Sequence, residues 1–273
     1  MPVQKKLLET LPKVIQQGEI LWQSKTNTDN VVVKCNQEVV VKIVPSMGDY
    51  TEFTSLQYLA DHVPEIPAPK PLGLIGVGDL SYVFMSFIGG TTLERAWPGM
   101  LASQKKSITE QLNKYFLRLR QQQCPDGVAF GGVSGEGCKD TRRHTRICTM
   151  EIRDCSQFQD FQFSMPNFGG WAYVEFLRNL LPRTTSLCVF MHGDVRPENI
   201  MVQLQDDGEY KVTGLLDWEK SGFYPDYFEC TKITSTMSTS ETDDWFLHLP
   251  RCISPTQHPA RWLLDRLWDK HVA

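Results

Sequence analysis

The sequence predicts an α+β chain built as two unequal lobes, a small antiparallel β-sheet crossed by one helix and then a larger, mainly helical lobe. Three observations predict it. The first ninety residues alternate β-branched runs with turn residues, Gly89-Gly90 interrupts the chain, and the remainder shifts toward helical spacing. At 273 residues the chain is long enough for one large domain or two lobes sharing a cleft. The division is expected after residue 88, giving lobes at 1–88 and 89–273.

In chain order, the start MPVQKKLLETLPKVIQQ is a short amphipathic run. Strands are expected at Ile20-Leu21-Trp22, at Val31 to Cys35 and at Val39 to Val44, separated by Thr26 to Asn30 and by Asn36-Gln37-Glu38. Pro45 to Gly48 breaks the run. Thr51 to His62 then places Phe53, Leu56, Leu59 and Ala60 on a helical stripe, which Pro64, Pro67, Pro69 and Pro71 end. Leu72 to Leu74 and Tyr82 to Ile88 supply two more strands. The spacing of Gly73, Gly76 and Gly78 fits a hairpin turn, because no βαβ unit surrounds it as a dinucleotide fingerprint would require. Helices are expected at Ser103 to Gln123, Gly170 to Leu181 and Pro259 to His271, with a long Gly-rich, charged loop from Cys124 to Asn167.

Composition narrows the function. Hydrophobic residues make up 41% and charged residues 22%, the balance of a chain that buries a core. A formal charge of −4 provides no global basic field for nucleic acid. No run of 18 apolar residues exists, so membrane insertion is not expected. Eight cysteines lack CxxC pairs, which fits reduced thiols in the cytoplasm better than a zinc site or a disulfide framework. Charge is uneven: residues 103–153 carry ten Lys or Arg against five Asp or Glu, and residues 154–273 carry ten against seventeen. The two segments should face each other or different partners.

The chemistry concentrates in His192-Gly193-Asp194-Val195-Arg196-Pro197-Glu198-Asn199 and in Leu215-Leu216-Asp217-Trp218-Glu219. Pro197 keeps the first stretch from being a helix interior, so Asp194 and Asn199 can project to one side. Two carboxylates and an amide suit a magnesium-phosphate site: one carboxylate and the amide can supply the hard oxygen ligands that Mg²⁺ takes, leaving the other carboxylate free to accept a proton, the division that phosphoryl transfer needs. An upstream lysine should then pin the phosphates, with a helix acid to hold it. Lys42, inside Val-Val-Val-Lys-Ile-Val, and Glu52, at the start of the following helix, occupy those places.

This order of motifs resembles the aminoglycoside phosphotransferase and choline kinase family, within the protein-kinase-like fold. Gly193 and Trp218 stand where ordinary protein kinases show the Arg of His-Arg-Asp and the Phe of Asp-Phe-Gly. Gly222 to Glu229 is similar to a Gly-x-Tyr-Pro-x-Tyr-Trp-Glu run of fungal members, and Phe130 to Gly135 with Asp140 and Arg142 resembles their Gly-rich stretch. The resemblance spans about residues 20 to 235 and implies a bilobal kinase-like fold with ATP and Mg²⁺ as cofactors. It implies Asp194 as catalytic base with His192 in the same loop as its hydrogen-bonding brace, Asn199 and Asp217 as Mg²⁺ ligands, and Lys42, held by Glu52, on the α and β phosphates. The Ser86 carbonyl and Ile88 amide would read the adenine edge.

The expected activity is phosphorylation of a hydroxyl on a small molecule. A kinase-like scaffold without turnover and a protein Ser/Thr kinase are the competing readings, the first favoured by a hairpin at Ser24 to Asn30 that has no glycine. Glu219 is either a partner of the metal site or a solvated acid. Asp226, Glu229, Glu241, Asp243 and Asp244 either place negative potential at the cleft mouth, where it would attract a cationic acceptor, or form a solvated acidic surface, and Trp171, Trp245, Trp262 and Trp268 are expected to pack in the core or between helices.

Overall fold

In the computed structural model the described residues are 2–25, 30–45, 48–140, 142, 147, 148, 150–164, 168–182 and 187–271. The strands are β1 (Glu19–Gln23), β2 (Val31–Lys34), β3 (Val39–Pro45), β4 (Pro71–Val77), β5 (Leu80–Ser86), β6 (Thr91–Thr92), β7 (Cys138–Lys139), β8 (Ile147–Cys148), β9 (Cys188–Met191), β10 (Ile200–Leu204), β11 (Tyr210–Leu215) and β12 (Gly222–Pro225). The helices are α1 (Pro2–Gln17), α2 (Thr51–His62), α3 (Leu93–Ala96), α4 (Ala102–Arg120), α5 (Cys155–Gln162), α6 (Trp171–Asn179), α7 (Phe228–Lys232) and α8 (Pro259–His271). The tip of the glycine-free hairpin, Thr26 to Asp29, lies outside the described residues.

The first five strands form an antiparallel sheet in the order β1-β2-β3-β5-β4. Strand period two sorts the side chains of β3. Val41 and Ile43 join Val33 and Phe84 in a small cluster that reaches Ile15 of α1, while Val40 meets Val83, Met85, Leu56 and Leu59 in the main core. Lys42 shares the face of Val40 and therefore points toward α2 and the cleft. Gly78, at φ +58, makes the β4–β5 turn that the glycine spacing predicts.

Below the sheet, α4 buries Ile108, Leu112, Phe116 and Leu119 along one stripe. These residues continue the main core through Trp97, Phe190 and Trp218, so one apolar body runs under both lobes. Two short antiparallel ladders carry the motifs, β10 paired with β11 and with β6, and β9 paired with β12.

Two expectations change. The segment from Cys124 to Asn167 is not an irregular loop: it contains β7, β8 and α5, and α5 is capped by Asp154, whose carboxylate accepts from the amides of Ser156 and Gln157. Trp171 is 83% exposed and packs in no core, whereas Trp245 and Trp268 are buried. The Trp262 indole donates to Thr234 Oγ1 at 2.7 Å. The uneven charge resolves internally, since Lys105 pairs with Asp244, Arg120 with Asp226, and Arg142 with Asp140, Asp265 and Asp269. No helix among the described residues is long and apolar enough to cross a membrane.

Candidate active site

The loop between β9 and β10 carries the first motif. Gly193 sits at φ +82, where a side chain would meet the backbone carbonyl of Lys220, so this turn requires glycine. The next residue, Asp194, is buried. Asn199 Nδ2 donates to the Asp194 carbonyl at 3.0 Å and lies 3.4 Å from Asp194 Oδ2, which brings the two motif residues together as their spacing predicts.

His192 is 1% exposed and both ring nitrogens are engaged. The Asp194 amide donates to Nδ1 at 3.1 Å, and Nε2 lies 2.9 Å from the Leu216 carbonyl. With Nδ1 accepting, the proton belongs on Nε2. Burial pulls the imidazole below its usual pKa, keeping it neutral despite nearby Asp194 and Asp217. The ring thus ties the Asp194 loop to the strand end that carries Asp217.

Asp217 follows β11 and adopts φ +65, the one non-glycine residue in the left-handed region among those described. Such a conformation costs about 1 kcal/mol or more and persists where the surroundings hold it. Trp218 supplies that hold: its indole donates to the Leu215 carbonyl at 2.8 Å, Ser221 Oγ donates to the Trp218 carbonyl at 2.6 Å, and its ring lies 4.4 Å from that of His192. Burial works against ionising Asp217, but Lys42, aided by Lys220, overrides it and brings the carboxyl down to about 2.

Lys42 is the hub of an acidic cluster. Its ammonium lies 2.9 Å from Glu52 Oε2, 2.6 Å from Asp217 Oδ1 and 3.0 Å from Glu219 Oε2. Burial opposes its charge, yet the three carboxylates raise it well above the ordinary lysine value. Glu52, desolvated and beside two other acids, is pushed up to about 7 even with Lys42 adjacent. Glu219 is therefore a partner of Lys42.

Ser86 ends β5, and its Oγ accepts from the Lys70 amide at 2.9 Å. Two residues on, Ile88 covers Gly214, where a Cβ would come within 2.7 Å of Ile88 Cδ1. The inter-lobe segment is thereby seated against β11, just upstream of Asp217.

Three cations join the site without having been given a role from the sequence. Lys220 Nζ lies 3.0 Å from Asp194 Oδ2, and Arg196 Nη2 stands 3.6 Å from Asp194 Oδ2 and 3.9 Å from Asp217 Oδ2. Both cations are adjacent to or inside the motifs, and that was their only signal. Glu229 belongs under the loop that carries Asp194 and not at the cleft mouth: it is 2% exposed and accepts from the amides of His192 at 2.8 Å and Gly193 at 3.0 Å. Asp244 likewise accepts from Trp97 Nε1 and Lys105 Nζ, each at 2.7 Å. Lys139, the third of these cations, reaches this region from β7.

A deep acidic and basic cluster at the seam of a β-rich and an α-rich lobe defines a protein of the kinase-like fold class. Residues 26–249 match the profile of the phosphotransferase enzyme family, and the chain belongs to that family. The family is one of phosphotransferase enzymes. A search of curated proteins returned no match. Among solved structures, the ternary complex of streptomycin, ATP and APH(2″)-IIa superposes with a TM-score of 0.59 at 14% identity, over 96% of this chain and 84% of that one. Aminoglycoside-3′-phosphotransferase of type VIII gives 0.59 at 15%, over 97% and 98%. A thermostable mutant of aminoglycoside phosphotransferase APH(4)-Ia with AMP-PNP and hygromycin B gives 0.57 at 16%, over 98% and 88%. These likenesses establish the fold.

Proposed function

We propose that the protein transfers the terminal phosphoryl group of ATP, with Mg²⁺, to a hydroxyl of a small molecule, using Asp194 as base. The observation that carries this reading is the convergence of Lys42, Asp194, Asn199 and Asp217, drawn from distant stretches of chain, on one cluster in which Arg196 faces both carboxylates. The fold neighbours bound to ATP or AMP-PNP and to streptomycin or hygromycin B support a nucleotide and a hydroxyl-bearing small molecule as the two substrates.

The donor set fits a hard cation. Asp217 and Asn199 offer oxygen, and the Asn199 amide nitrogen is turned to the Asp194 carbonyl, which leaves the amide oxygen for another partner. These two residues would hold Mg²⁺, which when bound neutralises charge on the phosphate oxygens. Lys42, fixed by Glu52, binds the α and β phosphates, and the Ser86 carbonyl and Ile88 amide take the adenine edge. Asp194 accepts the hydroxyl proton as the acceptor oxygen bonds to phosphorus and the bond to the nucleoside diphosphate breaks. His192 acts on this step by holding the loop.

In this reading residues 1–88 form the nucleotide lobe and 89–273 the catalytic and acceptor lobe. Buried thiols such as Cys138 and Cys230 fit a reducing compartment, the cytoplasm. The test is Asp194→Asn in a screen of hydroxylated metabolites for ATP-dependent phosphorylation. The variant should keep Mg-ATP binding, read as thermal stabilisation, and lose at least about a hundredfold in transfer. Unchanged turnover refutes the base assignment, and no stabilisation of the wild type by Mg-ATP refutes the enzyme reading in favour of a scaffold.

A further inference from the structure

The segment from Phe130 to Lys139 leaves the α-rich lobe and ends against the first turn of α2. It is anchored to β12 by a reciprocal pair, the Gly131 amide to the Phe223 carbonyl and the Phe223 amide to the Gly131 carbonyl, both 2.8 Å. The Lys139 amide donates to Tyr224 Oη at 3.0 Å, so β7 is seated on the same strand. Gly131, at φ +112, and Gly222, at φ +147, lie where any Cβ would collide with facing backbone, Gly137 for the first and Gly131 for the second. The turn is closed by these glycines and is not a swinging flap.

From this base Lys139 crosses to the β-rich lobe. Its ammonium meets Asp49 Oδ1 at 2.7 Å and Oδ2 at 2.6 Å, Thr51 Oγ1 at 2.7 Å and the Glu219 carbonyl at 2.7 Å. Asp49 in turn accepts from the Thr51 amide at 3.1 Å and from Thr51 Oγ1 at 2.7 Å, so the lysine grips the start of α2 itself. One turn along, Thr54 Oγ1 donates to Glu136 Oε1 at 2.6 Å. Lys139 is 6% exposed, and a buried ammonium keeps such a place only with its hydrogen bonds made. The next residue of α2 after Thr51 is Glu52, which holds Lys42, and the carbonyl that Lys139 takes from the other side belongs to Glu219, which also holds Lys42.

We infer that Lys139 is a positioning residue that locks α2 against the metal-ligand loop, so that the Lys42–Glu52 pair is assembled before nucleotide arrives. The inference rests on the phosphate-binding role proposed for Lys42. It makes the Gly-rich insert a permanent strut for the nucleotide site, and no activating step is needed to bring α2 in. A lysine that only filled space would contribute to stability without favouring α2 over α4.

The test uses the full chain and needs no acceptor. Lys139→Met should weaken Mg-ATP binding by about tenfold in titration calorimetry, and Lys139→Arg should restore it to within about threefold. Amide hydrogen exchange without nucleotide should speed by about tenfold in residues 51–59 and stay unchanged in residues 108–119. With Glu52→Gln already present, Lys139→Met should cost less than about twofold further, because the two act through one pair. Unchanged affinity and exchange, or faster exchange in α2 and α4 alike, overturns the inference. Should Lys139→Met fail to fold, Glu136→Gln serves at the rim of the same strut: about a threefold loss of affinity with faster exchange in α2 supports the inference, and wild-type behaviour overturns it. A wild type that binds no Mg-ATP defeats the role proposed for Lys42, and the exchange of α2 then decides the strut by itself.

Discussion

Replacing Glu229 by Gln should change not only how stable the protein is but how its stability depends on pH. The carboxyl group is buried under the loop that carries Asp194 and accepts two backbone N–H groups, those of His192 and Gly193. Burial raises it from 4.5 to about 7, more than the two amide bonds and Arg120 lower it. Between those values the native protein holds a proton that the unfolded chain has released, so this group makes stability fall as pH rises from about 4.5 to about 7. The shift of roughly two and a half units corresponds to about 3 kcal/mol across that window. Gln does not titrate, but its NH₂ group faces one of the two amides and leaves it unsatisfied, at about 1–3 kcal/mol. Urea unfolding followed by tryptophan fluorescence should find Glu229→Gln less stable than the wild type at pH 5. By pH 8 the gap should close or reverse. Parallel stability curves, or a wild-type advantage that grows with pH, would show that the amide bonds outweigh desolvation and would refute the reasoning.

Two further outcomes follow from the same neighbourhood. Gly193→Ala places a Cβ at φ +82 against the Lys220 carbonyl, so it should destabilise by about 2 kcal/mol or more, read as a lowered Tm, and shift Asp194 enough to abolish transfer. Lys42→Met leaves Glu52, Asp217 and Glu219 without their shared cation and should cost about 3 kcal/mol at pH 8 in urea unfolding. Unpaired acids carry raised pKa values in the native state, so this loss should shrink toward pH 5, and a loss that is the same at both pH values would contradict the arrangement.

Lys139 and Glu229 play comparable parts. Each is a buried titratable residue whose side chain touches backbone next to a motif, Lys139 at the Glu219 carbonyl and Glu229 at the His192 and Gly193 amides. Each joins that motif to a separate element, α2 in one case and α7 in the other. Asp194 and Asp217 stand on loops, and loops gain precision from such fixed partners.

Much of the molecule was legible in the chain itself, because its signals are local. β-branched runs marked β2 and β3, proline and glycine punctuation marked the ends of α2 and the Gly78 turn, and a helix candidate at Ser103 to Gln123 marked α4. The spacing of Asp194, Asn199 and Asp217 announced a cluster of oxygen ligands, and the position of Lys42 in a strand ahead of Glu52 announced a cation beside it. Tertiary structure alone decided which polar residues are buried and against what. Nothing local distinguishes Glu229 from the exposed acids of the same lobe, or Lys139 from the other cations of the basic segment. Their burial depends on partners as distant as Asp49, 90 residues away from Lys139. Trp171 shows the converse: a tryptophan's composition argues for a core, but its exposure depends on whether another element covers it, and no sequence period encodes that.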